Sequence, residues 1–167
     1  MARIVRFTML AAAGAAVLAA APLHARTIGG WEVAPSKQGA CMMTATFEDE
    51  SIALVWNKAE QQLGFLAASK TWNGLMEREG DPTALQLTFD GEVRYPQWLH
   101  EGARFQPLRG TEAVMGVWGP EHREDLAEAM TRSSEVSLKV GNTELGSFDI
   151  SGAGPAYREL LRCGDRA

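Results

Sequence analysis

Hydrophobic and polar residues alternate with a period of two in several short runs, a pattern typical of half-buried β-strands. The clearest run covers residues 135–140, and Gly141-Asn142 separates it from a second run over residues 143–150. Two residues of this type favour a tight turn between antiparallel strands. The pattern therefore predicts a β-hairpin near the end of the chain.

Similar runs predict further strands at residues 31–33, 42–47, 52–56, 63–67 and 113–118. Another alternation, over residues 85–89, leads into Asp90-Gly91 and then Val93 and Tyr95, which predicts a second hairpin. Residues 73–82 contain two glycines, a proline and several charges, and they are predicted to form a loop. The whole pattern corresponds to about eight or nine strands.

Two segments carry helical signals. Ala156, Leu160 and Cys163 recur at helical spacing behind Pro155, which suits the first turn of a helix. The other side of this predicted helix carries charged residues, namely Arg158, Glu159 and Arg162. An earlier helix is predicted from Pro120, and it would cross between the strand at 113–118 and the hairpin at 135–150.

These elements predict a mainly β fold of the α+β class. The expected form is an antiparallel β-sandwich or a barrel-like sheet with a short C-terminal helix and one crossover helix. The chain shows no internal repeat and no linker of biased composition. We therefore expect one globular domain over residues 26–167.

Residues 1–25 are predicted to be a secretory signal peptide. Arg3 and Arg6 precede an apolar run over residues 8–21, and Leu23 and Ala25 stand at the two positions that signal peptidase reads, which predicts cleavage after Ala25. The run is shorter than the roughly 20 residues that span a bilayer. The predicted location is therefore the periplasm or the exterior of a bacterial cell, without stable membrane insertion.

Charge and cysteine content narrow the function further. The signal peptide holds two of the 16 basic residues and none of the 21 acidic ones, which leaves residues 26–167 with a net charge of −7. This charge argues against a nucleic-acid or anionic-membrane partner. Cys41 and Cys163 are the two cysteines, and in an oxidising compartment they are predicted to form a structural disulfide.

No group of residues predicts catalysis, a metal site or another cofactor. His100 and His122 have acidic neighbours but lack recurrent zinc-ligand spacing, so we interpret them as surface residues. Glu77, Glu79 and Asp81 lack the closing ligand of a calcium loop, and a solvated acidic loop is the better interpretation.

Tryptophans supply the candidates for partner binding. Of the five, Trp56 and Trp118 lie in apolar runs and are predicted to be core residues. Trp72 and Trp98 are flanked by turn or charged residues, and an exposed aromatic side chain can bind a partner protein or a glycan. The alternative is that both close the ends of the β-core.

A family resemblance rests on the order of these features. Gly30-Trp31 stands near the start of the predicted domain, Cys41 follows, and a strand at 148–150 with Ser151-Gly152 leads to a short terminal helix. In this order the chain resembles the invasion-associated locus B family of small exported bacterial proteins. That resemblance implies a β-sandwich envelope protein without established catalytic residues, linked in some pathogens to host-cell entry.

A shorter likeness concerns residues 151–157, which resemble the Ser-Gly-x-x-Tyr loop of periplasmic lysozyme inhibitors and nominate Tyr157 as a partner-binding residue. The leading hypothesis is an exported, non-enzymatic envelope protein that binds a protein, a glycan or a lipid. The alternatives are an inhibitor of a hydrolase such as lysozyme, and a hydrolase of unfamiliar type.

Overall fold

The computed structural model describes residues 25–36, 39–72, 74, 82–90, 98–108 and 110–166. Residues 1–24 of the predicted signal peptide and most of the predicted loop at 73–82 lie outside these residues. The described strands, numbered along the chain, are β1 Arg26–Ile28, β2 Trp31–Pro35, β3 Cys41–Thr46, β4 Glu50–Asn57, β5 Gln62–Ser69, β6 Pro82–Phe89, β7 Trp98–Leu108, β8 Thr111–Trp118, β9 Glu135–Val140 and β10 Thr143–Asp149. The helices are α1 Pro120–Arg132 and α2 Ala153–Arg166. The predicted mainly β fold is confirmed.

All ten strands belong to one antiparallel sheet in the order β1-β2-β3-β4-β5-β8-β7-β6-β9-β10. The sheet curls until its two ends approach each other. The turn after β1 meets the turn after β10, where a Cβ on Gly152 would lie 2.5 Å from the carbonyl oxygen of Gly29. Trp31 donates a hydrogen bond from its indole N–H to the Ser151 carbonyl at 3.2 Å. The sheet is therefore barrel-like.

One hydrophobic core fills the inside of this curved sheet. Its largest fully buried side chains come from strands spread over the whole order, and they include Trp31, Phe65, Phe89, Phe105 and Phe148. Trp56 and Trp118 are buried in the same core, which confirms their prediction.

The two helices close the sheet from one side. α1 connects β8 to β9 as predicted and begins at Pro120, directly after its N-cap Gly119. α2 packs against β2, β3 and α1, with Ala156 and Leu160 in the core. A disulfide between Cys41 of β3 and Cys163 of α2, with a Cα separation of 5.9 Å, fastens this helix to the sheet. The predicted pairing is confirmed.

The hairpin of β9 and β10 around Gly141-Asn142 matches its prediction, whereas the arrangement next to β6 differs. β6 pairs on one side with β9 and on the other with β7, a strand that the sequence pattern did not predict. The buried Ala103 and Phe105 alternate in β7 with the exposed Arg104, but Gly102 and Pro107 obscure this signal. Val93 and Tyr95, the predicted partner strand of β6, lie outside the described residues.

Asp90 ties the end of β6 to the start of β9. Its carboxylate accepts hydrogen bonds from the backbone N–H groups of Ser134 at 2.8 Å and Glu135 at 2.9 Å, and from the Ser134 hydroxyl at 3.0 Å. Desolvation raises the pKa of Asp90, but the hydrogen bonds, led by the one from the Glu135 backbone, outweigh it and hold the pKa below its usual value. The charged carboxylate therefore stabilises this corner of the sheet.

Candidate functional site

A cleft with a volume of about 470 Å³ lies between α1, α2 and the turn that joins β4 to β5. Each helix contributes three of its lining residues, β4 contributes one and the turn two; the nine are Trp56, Lys58, Gln61, Arg123, Glu124, Ala127, Tyr157, Leu161 and Asp165. Residues 157, 161 and 165 recur every four positions, so they form one face of α2. The size suits a small ligand or a short segment of a larger one.

Arg123 lies across the cleft and is fixed on two sides. Its guanidinium carbon sits 5.0 Å from the centre of the Trp56 ring, and one of its N–H groups donates to the Gln61 side-chain oxygen at 2.8 Å. A cation over an indole face is attracted by the negative charge of that face. The guanidinium is therefore held in a defined position before any ligand arrives.

Gln61 is itself held in an uncommon conformation. Its φ angle is 54°, in the left-handed region that residues other than glycine rarely adopt. Its side-chain amide N–H donates to the Lys58 carbonyl at 2.8 Å, while its oxygen accepts from Arg123. Strained backbone of this kind concentrates at functional sites, where the surrounding structure maintains it.

The charges of the cleft balance one another. Lys58 forms an ion pair with Asp165 at 3.0 Å, and Arg123 lies 3.9 Å from the Glu124 carboxylate. Because two cations face two anions, the cleft is polar without a strong net charge. It offers hydrogen-bond donors and acceptors side by side.

Tyr157 lines the cleft from α2 and is almost fully buried. Burial raises the pKa of its phenol, an effect that the nearby positive charge of Arg123 partly opposes and Glu124 reinforces. The phenol is therefore neutral at physiological pH. Within the part of the chain that the structure describes, its hydroxyl forms no hydrogen bond.

The base of the cleft depends on a close approach between α2 and β4. A Cβ added to Gly164 would lie 2.5 Å from Cδ1 and 2.8 Å from Nε1 of the Trp56 ring. Only glycine at this position lets the indole pack directly against the helix. Cys163, the neighbouring residue, holds the same turn of α2 on β3 through the disulfide.

The structure describes the side chains of two of the three partner-binding candidates, Trp72 and Tyr157, and they lie in different surroundings. Trp72 is buried in the core: its indole N–H donates to the Leu145 carbonyl at 2.7 Å, and its ring meets Phe148 edge-to-face at 6.3 Å. Trp72 is therefore a core residue, in line with the alternative interpretation of this side chain. The side chain of Trp98 lies outside the described residues, whereas Tyr157 does line a cleft.

Residues 151–157 do not protrude as an inhibitor loop would. Ser151-Gly152 forms a turn, α2 begins at Ala153, and a Cβ on Gly154 would lie 3.2 Å from the Thr131 carbonyl of α1. Because the segment is packed on both sides, it cannot enter an enzyme cleft in the manner of the lysozyme inhibitors without unfolding its first turn.

His122 lies exposed on α1, and the side chain of His100 is outside the described residues. Across the described part of the chain, no group of three or more His, Cys, Asp or Glu side chains is arranged to hold a metal ion. In that same part, neither helix is long and apolar enough to cross a membrane.

Fold and cleft together define a class: a curved antiparallel sheet, closed by a disulfide-tied terminal helix, with a small polar cleft beside that helix. Among solved structures, the crystal structure of invasion associated protein B from Bartonella henselae is similar, with a TM-score of 0.60 at 12% sequence identity. The similarity covers 85% of this chain and 99% of the other. It confirms, at the level of the fold, the resemblance seen in the sequence. No protein-family model and no curated protein matches the chain.

Proposed function

We propose that this protein is an exported, non-enzymatic binding protein of the bacterial envelope, and that its ligand enters the cleft between α1 and α2. The observation that carries the proposal is the position of Arg123, which is fixed over Trp56 and hydrogen-bonded to a strained Gln61. The likeness of the fold to an invasion-associated protein supports a place in the envelope.

The lining of the cleft favours a glycan or a peptide over a lipid. An acyl chain in the cleft would desolvate the Lys58–Asp165 pair and the Arg123 guanidinium without offering them hydrogen bonds, which is costly. Sugar hydroxyls and peptide groups both donate and accept, so they match the alternating donors and acceptors. Ala127 and Leu161 add a small apolar surface that either ligand can cover.

The walls of the cleft are also tied to the sheet, which lowers the entropic cost of binding. Its α2 wall is tied to β3 by the disulfide, and its base is fixed by the contact between Gly164 and Trp56. A ligand would therefore meet side chains that need little rearrangement. The Tyr157 hydroxyl and the remaining N–H groups of Arg123 supply its hydrogen bonds.

The test uses muropeptides, which carry both sugars and a peptide, and measures their binding by calorimetry and by chemical-shift changes. We expect Arg123→Gln to weaken binding at least about tenfold, because a hydrogen bond from a charged donor contributes about that much or more. Arg132→Gln is the matched control, since Arg132 lies exposed at the other end of α1 and pairs with Glu128.

The sugar and peptide parts of the muropeptides are then tested separately. Sugar chains without peptide and peptides without sugar show which half the cleft recognises. If neither these nor the intact muropeptides bind, or if Arg123→Gln binds them as well as the wild type does, the proposed role of the cleft is wrong.

A further inference from the structure

A second polar site lies on α2, on the side of the helix away from the cleft, around the side chain of Glu159. Glu159 accepts hydrogen bonds from Arg166 at 2.9 Å, from Arg26 at 3.2 Å and from Arg162 at 3.5 Å. Its side chain is only 4% exposed, and those of Arg26, Arg162 and Arg166 are 65%, 68% and 60% exposed. The carboxylate is thus covered by the guanidinium groups themselves.

The Glu159 carboxylate is charged at neutral pH. The hydrogen bond from Arg166 lowers its pKa most, desolvation opposes this, and the positive charge of Arg26 lowers it further. One negative charge therefore faces three positive ones, which leaves the cluster with an excess of two positive charges.

Two acidic residues on the same or neighbouring elements, Asp165 of α2 and Glu32 of β2, do not cancel this excess. Asp165 lies on the cleft side of α2, where it pairs with Lys58 at 3.0 Å. Arg26 stands opposite Val33, a core residue, so Arg26 lies on the inner face of the sheet. The adjacent Glu32 points to the outer face, because neighbours along a strand alternate.

Most N–H donors of the three guanidinium groups are also left available for a ligand. A guanidinium has five N–H donors in a rigid fork, and within the described residues each of the three forms bonds to Glu159 alone. Arg158 is exposed one turn before Arg162 and extends the row along the helix. Glu159 holds together three like charges that would otherwise repel one another.

We propose that the cluster of Arg26, Arg162 and Arg166 binds a phosphate group. Arginine forks match the oxygens of phosphate and bind them in pairs of hydrogen bonds, and a cluster already assembled around a carboxylate avoids the cost of bringing the forks together. The expected ligands carry a phosphomonoester, either free in solution or displayed on a lipid headgroup. This site is separate from the cleft, and the proposal does not depend on the proposed function.

The test measures the binding of inorganic phosphate at low ionic strength by calorimetry, using the protein isolated from the periplasm. We expect the double variant R162Q/R166Q to weaken binding about tenfold or more, since it removes two charged donors. R132Q is the control: Arg132 has the same exposure as Arg162 and a single carboxylate partner on its own helix. Circular dichroism verifies that each variant is folded.

A second variant separates fork geometry from charge. R162K/R166K keeps both positive charges but loses the planar forks, so we expect binding weaker than that of the wild type and stronger than that of R162Q/R166Q. If the lysine variant binds phosphate as tightly as the wild type, the arginine cluster acts only through its charge and the proposed fork recognition is wrong.

The source of the phosphate group is determined with vesicles. Phosphatidylcholine vesicles with and without phosphatidic acid test a displayed phosphomonoester against the free ion. If the wild type is retained only on vesicles that contain phosphatidic acid, and R162Q/R166Q is not, the phosphate group belongs to a lipid. If the wild type binds inorganic phosphate, the group belongs to a soluble ligand. If the wild type binds neither probe, or if R132Q lowers binding as much as R162Q/R166Q, the proposal is overturned.

Discussion

Removing the disulfide should destabilise the protein by several kcal/mol. The perturbation is the double variant Cys41→Ala/Cys163→Ala. Both cysteines are buried, so alanine avoids leaving an unpaired hydroxyl in the core, as serine would. The variant deletes the bond between β3 and α2 and leaves the rest of the packing in place.

The magnitude follows from the length of chain that the bond closes. The two cysteines are 122 positions apart, for which the loss of conformational entropy in the unfolded chain corresponds to about 5 kcal/mol. Residual structure in the unfolded state reduces this figure, and natural disulfides in small secreted domains contribute about 2–5 kcal/mol. We expect the variant to lose about 3–5 kcal/mol of unfolding free energy.

Urea unfolding followed by tryptophan fluorescence measures this loss. Wild-type protein that has been unfolded, reduced and refolded in reductant serves as a second measurement, because it lacks the bond but keeps both sulfur atoms. The two should agree. A variant within about 1 kcal/mol of the oxidised wild type would show that the unfolded chain is already confined by other contacts, and the entropic argument would be refuted.

Three further predictions concern single positions. Gly164→Ala should lower the free energy of unfolding measured in urea. Overpacking against Trp56 costs about 1–3 kcal/mol, whereas the higher helix propensity of alanine contributes only about 1 kcal/mol in return. A stabilised variant would contradict the contact between Gly164 and Trp56. Trp72→Phe should cost about 1–3 kcal/mol by leaving the Leu145 carbonyl without its donor, and should not change muropeptide binding. Since the pKa of Asp90 is lowered by folding, its contribution is present above the unfolded pKa of about 3.9 and is lost as pH falls below it. Unfolding measured from pH 7 to 2 should show a smaller decrease for Asp90→Ala than for the wild type, and equal decreases would refute the role of the carboxylate.

Much of the fold could be predicted because its signals are local. Strict alternation and Gly141-Asn142 define the hairpin of β9 and β10, and the spacing of Ala156, Leu160 and Cys163 defines the buried face of α2. β7 was not predicted, because its alternation is short and interrupted by Gly102 and Pro107. Sheet pairing across β5 and β8 depends on tertiary contacts that no local pattern reveals.

The candidate sites were less predictable for the same reason. Glu159 lies among arginines in the sequence and was assigned to the solvent side of α2, but it is buried, and one of the three arginines that cover it, Arg26, is 133 residues away. Trp56 was correctly placed in the core, yet its sequence neighbours do not indicate that Arg123 lies over its ring. Tyr157 was proposed as a partner-binding residue because residues 151–157 resemble an inhibitor loop. The structure shows no such loop, and Tyr157 lines the cleft because it shares one face of α2 with Leu161 and Asp165.

The meeting of the turns at Gly29 and Gly152 has a consequence for the timing of folding. β1, β2 and β3 are held against α2 and the turn before it by the contact of these glycines, by the Arg26–Glu159 pair and by the disulfide, all of which join residues more than a hundred positions apart. Contacts so distant in sequence form late and slowly. A chain that emerges N-terminus first therefore cannot complete these contacts until its final helix has followed.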